Sequence, residues 1–197
     1  MGYLKGLQEY LDANYHLSIF DTALESRQLW EFHLHPHRMV QARIEENQVY
    51  DLVLAGDGVD RAPMPKTDVK LLYPAEQADA TRPLIKTDKK VKALQLEPII
   101  PPRKRHHIKN KTLFPLLKER AVLFFTLLEG EVIKGILGGF TRYDITVHLK
   151  GGTPVYLLRH SVYDLRDKKG RCFLKSFQES RRDWEKSEWF VSSDPEG

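Results

Sequence analysis

Three histidines at alternate positions are the densest set of potential metal ligands in the chain. His33, His35 and His37 lie in the segment His-Leu-His-Pro-His, and alternate residues of an extended strand point to the same side. Three imidazoles on one side would suit zinc. However, Pro36 interrupts the hydrogen-bond ladder of a strand, and neither a carboxylate nor a cysteine follows at ligand spacing. We therefore predict no metal and no cofactor, and interpret the histidines as a polar strand face.

Basic residues are concentrated in the middle of the sequence. Arg103, Lys104 and Arg105 begin a cationic run that continues to Lys111, and such a run binds phosphates with an affinity that falls steeply as salt rises. Residues 82–120 contain twelve basic and three acidic residues, whereas residues 1–81 contain seven basic and thirteen acidic residues. This asymmetry indicates a polyanionic partner such as nucleic acid, and a solvated basic linker is the alternative.

The sequence lacks the short motifs that build common catalytic sites. It has no serine elbow, no phosphate-binding loop and no His-Glu-x-x-His helix, so we predict that the protein is not an enzyme. Its one cysteine, Cys172, excludes an internal disulfide and favours a reducing compartment. No apolar run approaches the roughly 20 residues that span a bilayer, and the N-terminus lacks a signal-peptide layout. We predict a cytoplasmic protein with no membrane partner.

One sequence pattern occurs twice, 93 residues apart. Tyr50-Asp51-Leu52 corresponds to Tyr143-Asp144-Ile145, and Gly58 corresponds to Gly151. Apolar positions keep the same register over some forty residues, although few residues are identical. A unit of this length is too long for a solenoid repeat and suits a small domain copied whole. We call the two copies the first repeat, within residues 1–80, and the second repeat, within residues 109–178.

Each repeat is predicted to contain a short helix and five short strands. In the second repeat we expect a helix over residues 113–120, with Pro115 in its first turn. Strands follow over residues 121–128, 132–137, 143–149, 154–158 and 161–165, with a bend or bulge at Gly138-Gly139. In the first repeat we expect Asp21 to cap the helix. Short strands joined by tight turns are typical of a small barrel, so the predicted fold is mainly β with two tandem barrels.

The second repeat resembles the Sm-like fold, and most closely its Hfq branch of bacterial RNA chaperones. The residues that carry the resemblance lie between positions 109 and 167. They are Leu117-Lys118-Glu119-Arg120, Glu129-Gly130, Gly135, Phe140-Thr141-Arg142-Tyr143 and Arg159-His160-Ser161-Val162. The chain departs from the family at Thr141, where an acidic residue is usual, at Arg159, where lysine is usual, and in lacking a clear counterpart of an upstream glutamine. The first repeat resembles the family only through the second.

The resemblance implies that the protein binds single-stranded, uridine-rich RNA on the inner face of a ring. Phe140 and Tyr143 are the implied aromatic residues, and a tyrosine ring offers a stacking platform for a base. Arg159 and His160 are implied to contact phosphate, sugar or a base carbonyl. Lys118 and Arg120 are implied to contact the RNA backbone on the outer rim, and charges that complement a helix C-terminus are an equal alternative.

The predicted domain organisation has four parts. Residues 1–80 form a diverged Sm-like domain whose amphipathic N-terminal helix packs on its own barrel. Residues 81–108 form a basic linker in which paired prolines act as a semi-rigid spacer. Residues 109–178 form the Hfq-like domain, and residues 179–197 form a tail that docks on its own domain or on a partner.

Two functions remain open at this point. The first is a non-enzymatic RNA-binding protein for RNA-mediated regulation, assembled as a homo-oligomer because small barrels leave edge strands that need partners. Three chains would supply six domains for a ring, and six chains carrying the first repeats on the outside are the alternative. The second function is a protein-interaction scaffold that keeps the Sm-like fold without binding RNA.

Overall fold

The computed structural model describes residues 2–192 and has a mainly β, antiparallel architecture. The helices are α1 (Leu7–Asn14), α2 (Ile19–Ser26), α3 (Ala78–Thr81), α4 (Lys89–Lys92), α5 (Asn110–Lys118) and α6 (Lys175–Arg181). The strands are β1 (Tyr3–Leu4), β2 (Trp30–Leu34), β3 (Arg38–Asn47), β4 (Asp51–Ala55), β5 (Met64–Pro65), β6 (Val69–Pro74), β7 (Lys86–Thr87), β8 (Val122–Leu127), β9 (Glu131–Phe140), β10 (Asp144–His148), β11 (Pro154–Leu158), β12 (Val162–Asp167) and β13 (Phe190–Val191). Short 3-10 helices include Lys66–Asp68 and Arg159–Ser161.

The strands of both repeats form one continuous open sheet. Its order is β12-β8-β9-β10-β11-β6-β2-β3-β4-β5, with β7 attached to β9, and β1 pairs with β13 in a separate two-stranded sheet. The repeats join where β11 pairs with β6, through Tyr156 opposite Leu72 and Leu157 opposite Leu71. The last strand of the first repeat therefore continues the sheet of the second.

The 93-residue offset found in the sequence also relates the elements of the structure. Strands β3, β4 and β6 shifted by 93 residues give the bounds of β9, β10 and β12, and the 3-10 helix Lys66–Asp68 gives Arg159–Ser161. Backbone conformations repeat as well, because φ is +51° at both Arg27 and Arg120, +71° at Gly58 and +96° at Gly151. The two segments thus share their strand order and their turns.

A β-bulge lies at the same place in both repeats. The register of β9 against β10 passes from Leu137 to Gly139 and leaves out Gly138. The register of β3 against β4 passes from Ile44 to Glu46 and leaves out Glu45, which is 93 residues before Gly138. The bulge predicted at Gly138-Gly139 is therefore confirmed, and bulges of this kind bend long strands.

Two details of the predicted helices are wrong. The α2 helix begins at Ile19, and its cap is Ser18, whose hydroxyl accepts a hydrogen bond from the Phe20 amide. Asp21 instead lies in the first turn. Helix α5 begins at Asn110, so Pro115 lies inside the helix rather than in its first turn.

The N-terminal helix packs on the second repeat, so the prediction that it packs on the first is wrong. Leu4, Leu7, Tyr10 and Leu11 contact the hydrophobic cluster that holds the core of the second repeat. The core of the first repeat is a separate cluster built on Phe20, Trp30, Phe32 and other residues of α2 to β6. An amphipathic stripe shows that a helix is covered on one side, but it does not show by which surface.

The linker and the tail also pack against the second repeat. Residues 81–108 are more than a spacer, because β7 pairs with β9 and Ile108 is buried in the core. The tail docks on its own chain, since Trp184 is buried in the same cluster and Phe190 of β13 pairs with Leu4 of β1. The residues after Ser192 lie outside the described part of the chain.

Candidate nucleic-acid interface

Tyr143 is exposed on the loop between β9 and β10. About half of its side chain is accessible (52%), and the guanidinium of Arg142 lies 5.5 Å from the centre of its ring. The Thr141 hydroxyl fixes the loop, because it accepts hydrogen bonds from the amides of Tyr143 and Asp144 at 3.1 Å each. The Thr141 hydroxyl thus orders the loop by accepting two backbone hydrogen bonds. The loop presents the aromatic ring of Tyr143 next to the guanidinium of Arg142.

Arg159 lies beside this loop. Its amide donates to the Tyr143 carbonyl at 2.9 Å, and its Nη2 donates to Oδ1 of Asn110, the first residue of α5, at 3.0 Å. The guanidinium also lies 5.5 Å from the centre of the Phe140 ring. Burial lowers the pKa of Arg159 from its ordinary value, but arginine keeps its charge at neutral pH. Arg159 therefore places a half-buried positive charge behind Tyr143.

Phe140 is part of the core and offers no stacking surface. Its side chain is 1% exposed, and the ring of Tyr10 covers it with 4.7 Å between ring centres. The Tyr10 hydroxyl donates to the Phe140 carbonyl at 3.0 Å and accepts from the Phe140 amide at 2.7 Å. The expectation that Phe140 binds RNA is corrected for this reason: helix α1, which the sequence assigned to the first repeat, occupies its face.

His160 connects the two repeats. Its Nε2 lies 2.9 Å from the Val69 carbonyl on β6, and the neighbouring Ser161 hydroxyl donates to the Lys70 carbonyl at 2.8 Å. Burial lowers the pKa of His160 to about 4, so the imidazole is neutral at pH 7 and carries no charge for a phosphate. The side chain is half-buried, and its hydrogen bond serves the junction between β11 and β6.

Lys118 and Arg120 are exposed at the C-terminal end of α5. The Lys118 ammonium lies 5.4 Å from the ring centre of Phe114 and 5.6 Å from that of Trp189. Asn110, which holds Arg159, begins the same helix, and eight residues of helix rise about 12 Å. The cations implied for the rim are therefore separated from the loop that carries Tyr143.

The basic run of the linker divides into free and engaged side chains. Arg103 and Lys104 are exposed on a short 3-10 helix, Pro102–Lys104. Arg105 instead folds back, because its Nε donates to the Ile99 carbonyl at 2.9 Å and its Nη2 to the Ile100 carbonyl at 2.8 Å. Only the first two residues of the predicted set present their charges to solvent.

A buried charge cluster that the sequence did not reveal joins the turns of the two repeats. Glu129, on the turn between β8 and β9, accepts from the His37 amide at 2.9 Å and lies 3.1 Å from Nδ1 of His35. The buried Lys70 ammonium forms ion pairs with Glu129 and with Glu131. Burial lowers the pKa of His35, so its imidazole is neutral near pH 7. We call Glu129, Glu131, Lys70, His35 and His37 the turn cluster.

A second polar group lies on β2 of the first repeat. Glu31 is 1% exposed and forms an ion pair with Arg82, and it accepts hydrogen bonds from the Tyr73 hydroxyl and from Gln41. Burial opposes its ionisation, but these hydrogen bonds outweigh burial and hold the pKa of Glu31 at about 2. His33 lies 2.9 Å from the Tyr73 hydroxyl.

The histidine segment is a strand end and a turn. His33 lies within β2, whereas His35, Pro36 and His37 form the turn to β3. The three histidines therefore do not alternate along one strand. Among residues 2–192, no group of three or more histidine, cysteine, aspartate or glutamate side chains is arranged to hold a metal ion. Over the same range, no helix combines the length and the apolar character needed to cross a bilayer.

Comparison of the chain with protein-family models, with curated proteins and with solved structures finds no match. The arguments about function therefore depend on the geometry described above.

Proposed function

We propose that the protein binds single-stranded RNA through the exposed loop of its second repeat. The observation that carries the proposal is the pair formed by Tyr143 and Arg142, an accessible ring with a guanidinium 5.5 Å from its centre. Bases of any sequence stack on such rings, and arginine adds cation–π and phosphate contacts. Uridine-rich strands are the substrate that the sequence resemblance implies.

The architecture supports a pair of Sm-like barrels as the setting for this loop. Each repeat has a helix, then five strands, with a bulge in the long second strand and a 3-10 helix before the last. In this proposal each repeat is one small barrel, and the two barrels share an edge where β11 meets β6. Helix α5 brings Asn110 to the side chain of Arg159, and the next residue of that helix, Lys111, is exposed.

The first repeat supplies a matched control for the binding experiment. Tyr50 is the equivalent of Tyr143 and is 80% exposed, but the first 81 residues are net acidic. Fluorescence anisotropy with labelled uridine-rich and adenosine-rich strands, at low and at moderate salt, would measure the affinity of the wild type, Tyr143→Ala and Tyr50→Ala.

We expect wild-type affinity to fall as salt rises, because binding releases counterions. Tyr143→Ala should weaken binding about 5- to 150-fold, which corresponds to the roughly 1–3 kcal/mol of one stacked base. Tyr50→Ala should leave affinity unchanged. Equal losses in the two variants would contradict the assignment of the site to the second repeat.

A protein-interaction scaffold is the second candidate function. It is favoured by the contacts of Phe140 and His160, since one is covered by Tyr10 and the other is bonded to Val69. Two of the residues that the family resemblance implies for RNA are thus used inside the chain. If neither strand binds at low salt, the scaffold becomes the better proposal.

The ring of three or six chains stays a prediction. In such a ring, β12 of one chain would pair with a strand of the next, as β6 pairs with β11 inside the chain. The mass of the protein in solution distinguishes a ring from a single chain.

A further inference from the structure

The two repeats differ in what covers the outer edge of their last strand. In the first repeat, β6 is covered by β11, with Leu72 opposite Tyr156 and Leu71 opposite Leu157. The equivalent positions on β12 are Leu165 and Asp164. An uncovered edge there would accept a strand from another molecule, since unpaired backbone groups at a sheet edge template further pairing.

The chain itself covers the edge of β12. After a tight turn at Gly170, the Phe173 amide donates to the Leu165 carbonyl at 2.9 Å, and the Asp167 amide donates to the Arg171 carbonyl at 3.2 Å. Arg166 and Cys172 form an antiparallel bridge. Residues 171–173 therefore cover the outer edge of β12 from Leu165 to Asp167, which overlaps at Leu165 with the positions equivalent to those that β11 covers on β6.

Buried side chains hold this segment in place. Cys172 and Phe173 are 4% and 2% exposed and belong to the core of the second repeat. The Cys172 thiol lies 3.3 Å from Oδ1 of Asp164, and Arg171 forms an ion pair with Asp167 at 3.0 Å. The segment is anchored by burial and by polar contacts, so it is part of the folded unit.

At the opposite end of the sheet, the residue types of the edge strand β5 oppose pairing with a further strand. The strand equivalent to β11 in the first repeat is β5, which has two residues, Met64 and Pro65. The positions equivalent to Tyr156 and Leu157 are Pro63 and Met64, and proline has no amide hydrogen to donate to a neighbouring strand. Prolines at a sheet edge are a common device against further pairing.

We infer that residues 171–173 cap β12 and that Pro63 and Pro65 block β5, so that the two repeats form a closed unit of one chain. This inference is independent of RNA binding, because it concerns the sheet edges and not the loop that carries Tyr143. It also differs from the ring predicted from the sequence, in which both edges would be used.

Light scattering of the full-length protein tests the inference first. We expect the mass of one chain, 22.9 kDa, over a wide range of concentrations. We also expect the Phe173 amide to be protected against hydrogen exchange. A mass of three or six chains, or rapid exchange at Phe173, would overturn the inference and support the ring.

Two substitutions then open the edges separately. Gly170 has φ +77° and nothing within 4 Å of an added Cβ, so Gly170→Val strains only the turn that sets the cap. Pro63→Thr restores an amide on the other edge. Neither single variant should associate, whereas the double variant should form head-to-tail oligomers.

Gly58→Val is the matched control. Gly58 has φ +71° and an equally open surrounding, but it lies on the loop after β4. In the Pro63→Thr background this substitution should leave the protein as a single chain. Association of Pro63→Thr with the cap intact would show that residues 171–173 do not close β12. No association of the double variant would show that Pro63 and the turn at Gly170 are not what keeps the two edges closed.

Discussion

At the turn between its first two strands, the second repeat has Gly130 with φ +90°, whereas the first repeat has His37 with φ +46°. A Cβ at Gly130 would lie 2.7 Å from the Asp88 carbonyl, because the segment of α4 packs on that turn. In the turn of the first repeat, Pro36 and His37 are exposed but His35 is buried, and the His37 amide donates to Glu129. The equivalent turns are thus stabilised in different ways, by packing against the α4 segment in the second repeat and by a hydrogen bond to a carboxylate in the first.

The loops that precede β4 and β10 show a second difference. Lys66, the equivalent of Arg159, lies 5.6 Å from the ring centre of Phe20 and donates to the carbonyl of Gln48 in its own loop. The Arg159 side chain instead reaches Asn110 on helix α5. The backbone amides of Lys66 and Arg159 make the same contact, since each donates to the carbonyl of the loop tyrosine, Tyr50 or Tyr143, at 2.9 Å. The Lys66 side chain therefore bonds to the loop before β4, whereas the half-buried Arg159 side chain is held against helix α5.

The largest expected effect comes from removing the cation of the turn cluster. Lys70→Met leaves Glu129 and Glu131 close together without their buried partner. Breaking a buried ion pair in this way costs about 3–5 kcal/mol. The equivalent residue of the second repeat is the half-buried Tyr163. Urea denaturation should show a loss of this size for Lys70→Met and a small change for Tyr163→Phe. Similar losses would mean that the cluster does not distinguish the repeats.

Acid should destabilise the first repeat through Glu31 and His33 of β2, whereas the second repeat has a half-buried histidine with a lowered pKa, His160, and no counterpart of Glu31. The pKa of Glu31 is held at about 2, so the stability it contributes is present above pH 4.5 and is lost as the pH falls towards 2. Burial lowers the pKa of His33 to about 4, so stability also falls as the pH drops from 6.5 to 4. The Glu31 contribution is worth roughly 3 kcal/mol. The second repeat has Phe124 and Thr126 at the equivalent positions.

Tryptophan fluorescence against pH measures this difference. Trp30 belongs to the core of the first repeat, whereas Trp184 and Trp189 pack in that of the second. The Trp30→Phe variant therefore reports on the second repeat, and the double variant Trp184→Phe/Trp189→Phe reports on the first. The substitution Glu31→Gln should flatten the acid limb below pH 4.5. An acid transition that is unchanged by this substitution would contradict the role of Glu31.

Substitutions inside the strands should produce a smaller difference in stability between the two repeats. A Cβ at Gly135 would lie 2.4 Å from the His148 carbonyl oxygen, whereas Ala42, its equivalent, is fully buried with its methyl group in place. Overpacking of this kind costs about 1–3 kcal/mol, so Gly135→Ala should destabilise the protein by that amount. The reverse change, Ala42→Gly, should cost about 0.5–1 kcal/mol. Thermal denaturation compares the two.

The smallest expected effect should be equal in the two repeats. Arg27 and Arg120 both follow a helix with φ +51°, a conformation that glycine adopts without strain. Arg27→Gly and Arg120→Gly should each stabilise the protein by up to about 1 kcal/mol, while the corresponding alanine variants should not. Opposite signs in the denaturation midpoints of the two glycine variants would show that the helix ends are not equivalent.

The sequence predicted the features that depend on local pattern. Alternating apolar residues and turn glycines placed β8 to β12 within a few residues, and the Gly138-Gly139 pair marked the bulge. The 93-residue offset gave the correspondence of elements because a duplicated backbone keeps its turns. The exposure of Tyr143 also agrees with the predicted stacking role, which remains a prediction.

The features that depend on distant partners could not be predicted. Tyr10 covers Phe140 from 130 positions away, and nothing in its own helix indicates that surface. In the sequence, Glu129 belongs only to the Glu129-Gly130 pair of the family resemblance, and nothing indicates its buried ion pair, because its partners Lys70 and His37 belong to the other repeat. His160 was assigned to RNA by resemblance, and only the pairing of β11 with β6 shows that it faces Val69.

The pairing of β1 with β13 has a consequence for how the protein is made. Tyr3 and Leu4 are synthesised long before their partners, Val191 and Phe190. Helix α1 likewise cannot pack in its final position until Phe140, which Tyr10 contacts, has been synthesised. The first repeat has its own core and is translated early, so it can fold while the opening segment is still unplaced. The pairing of β1 with β13 can then form only after Phe190 and Val191 have been synthesised.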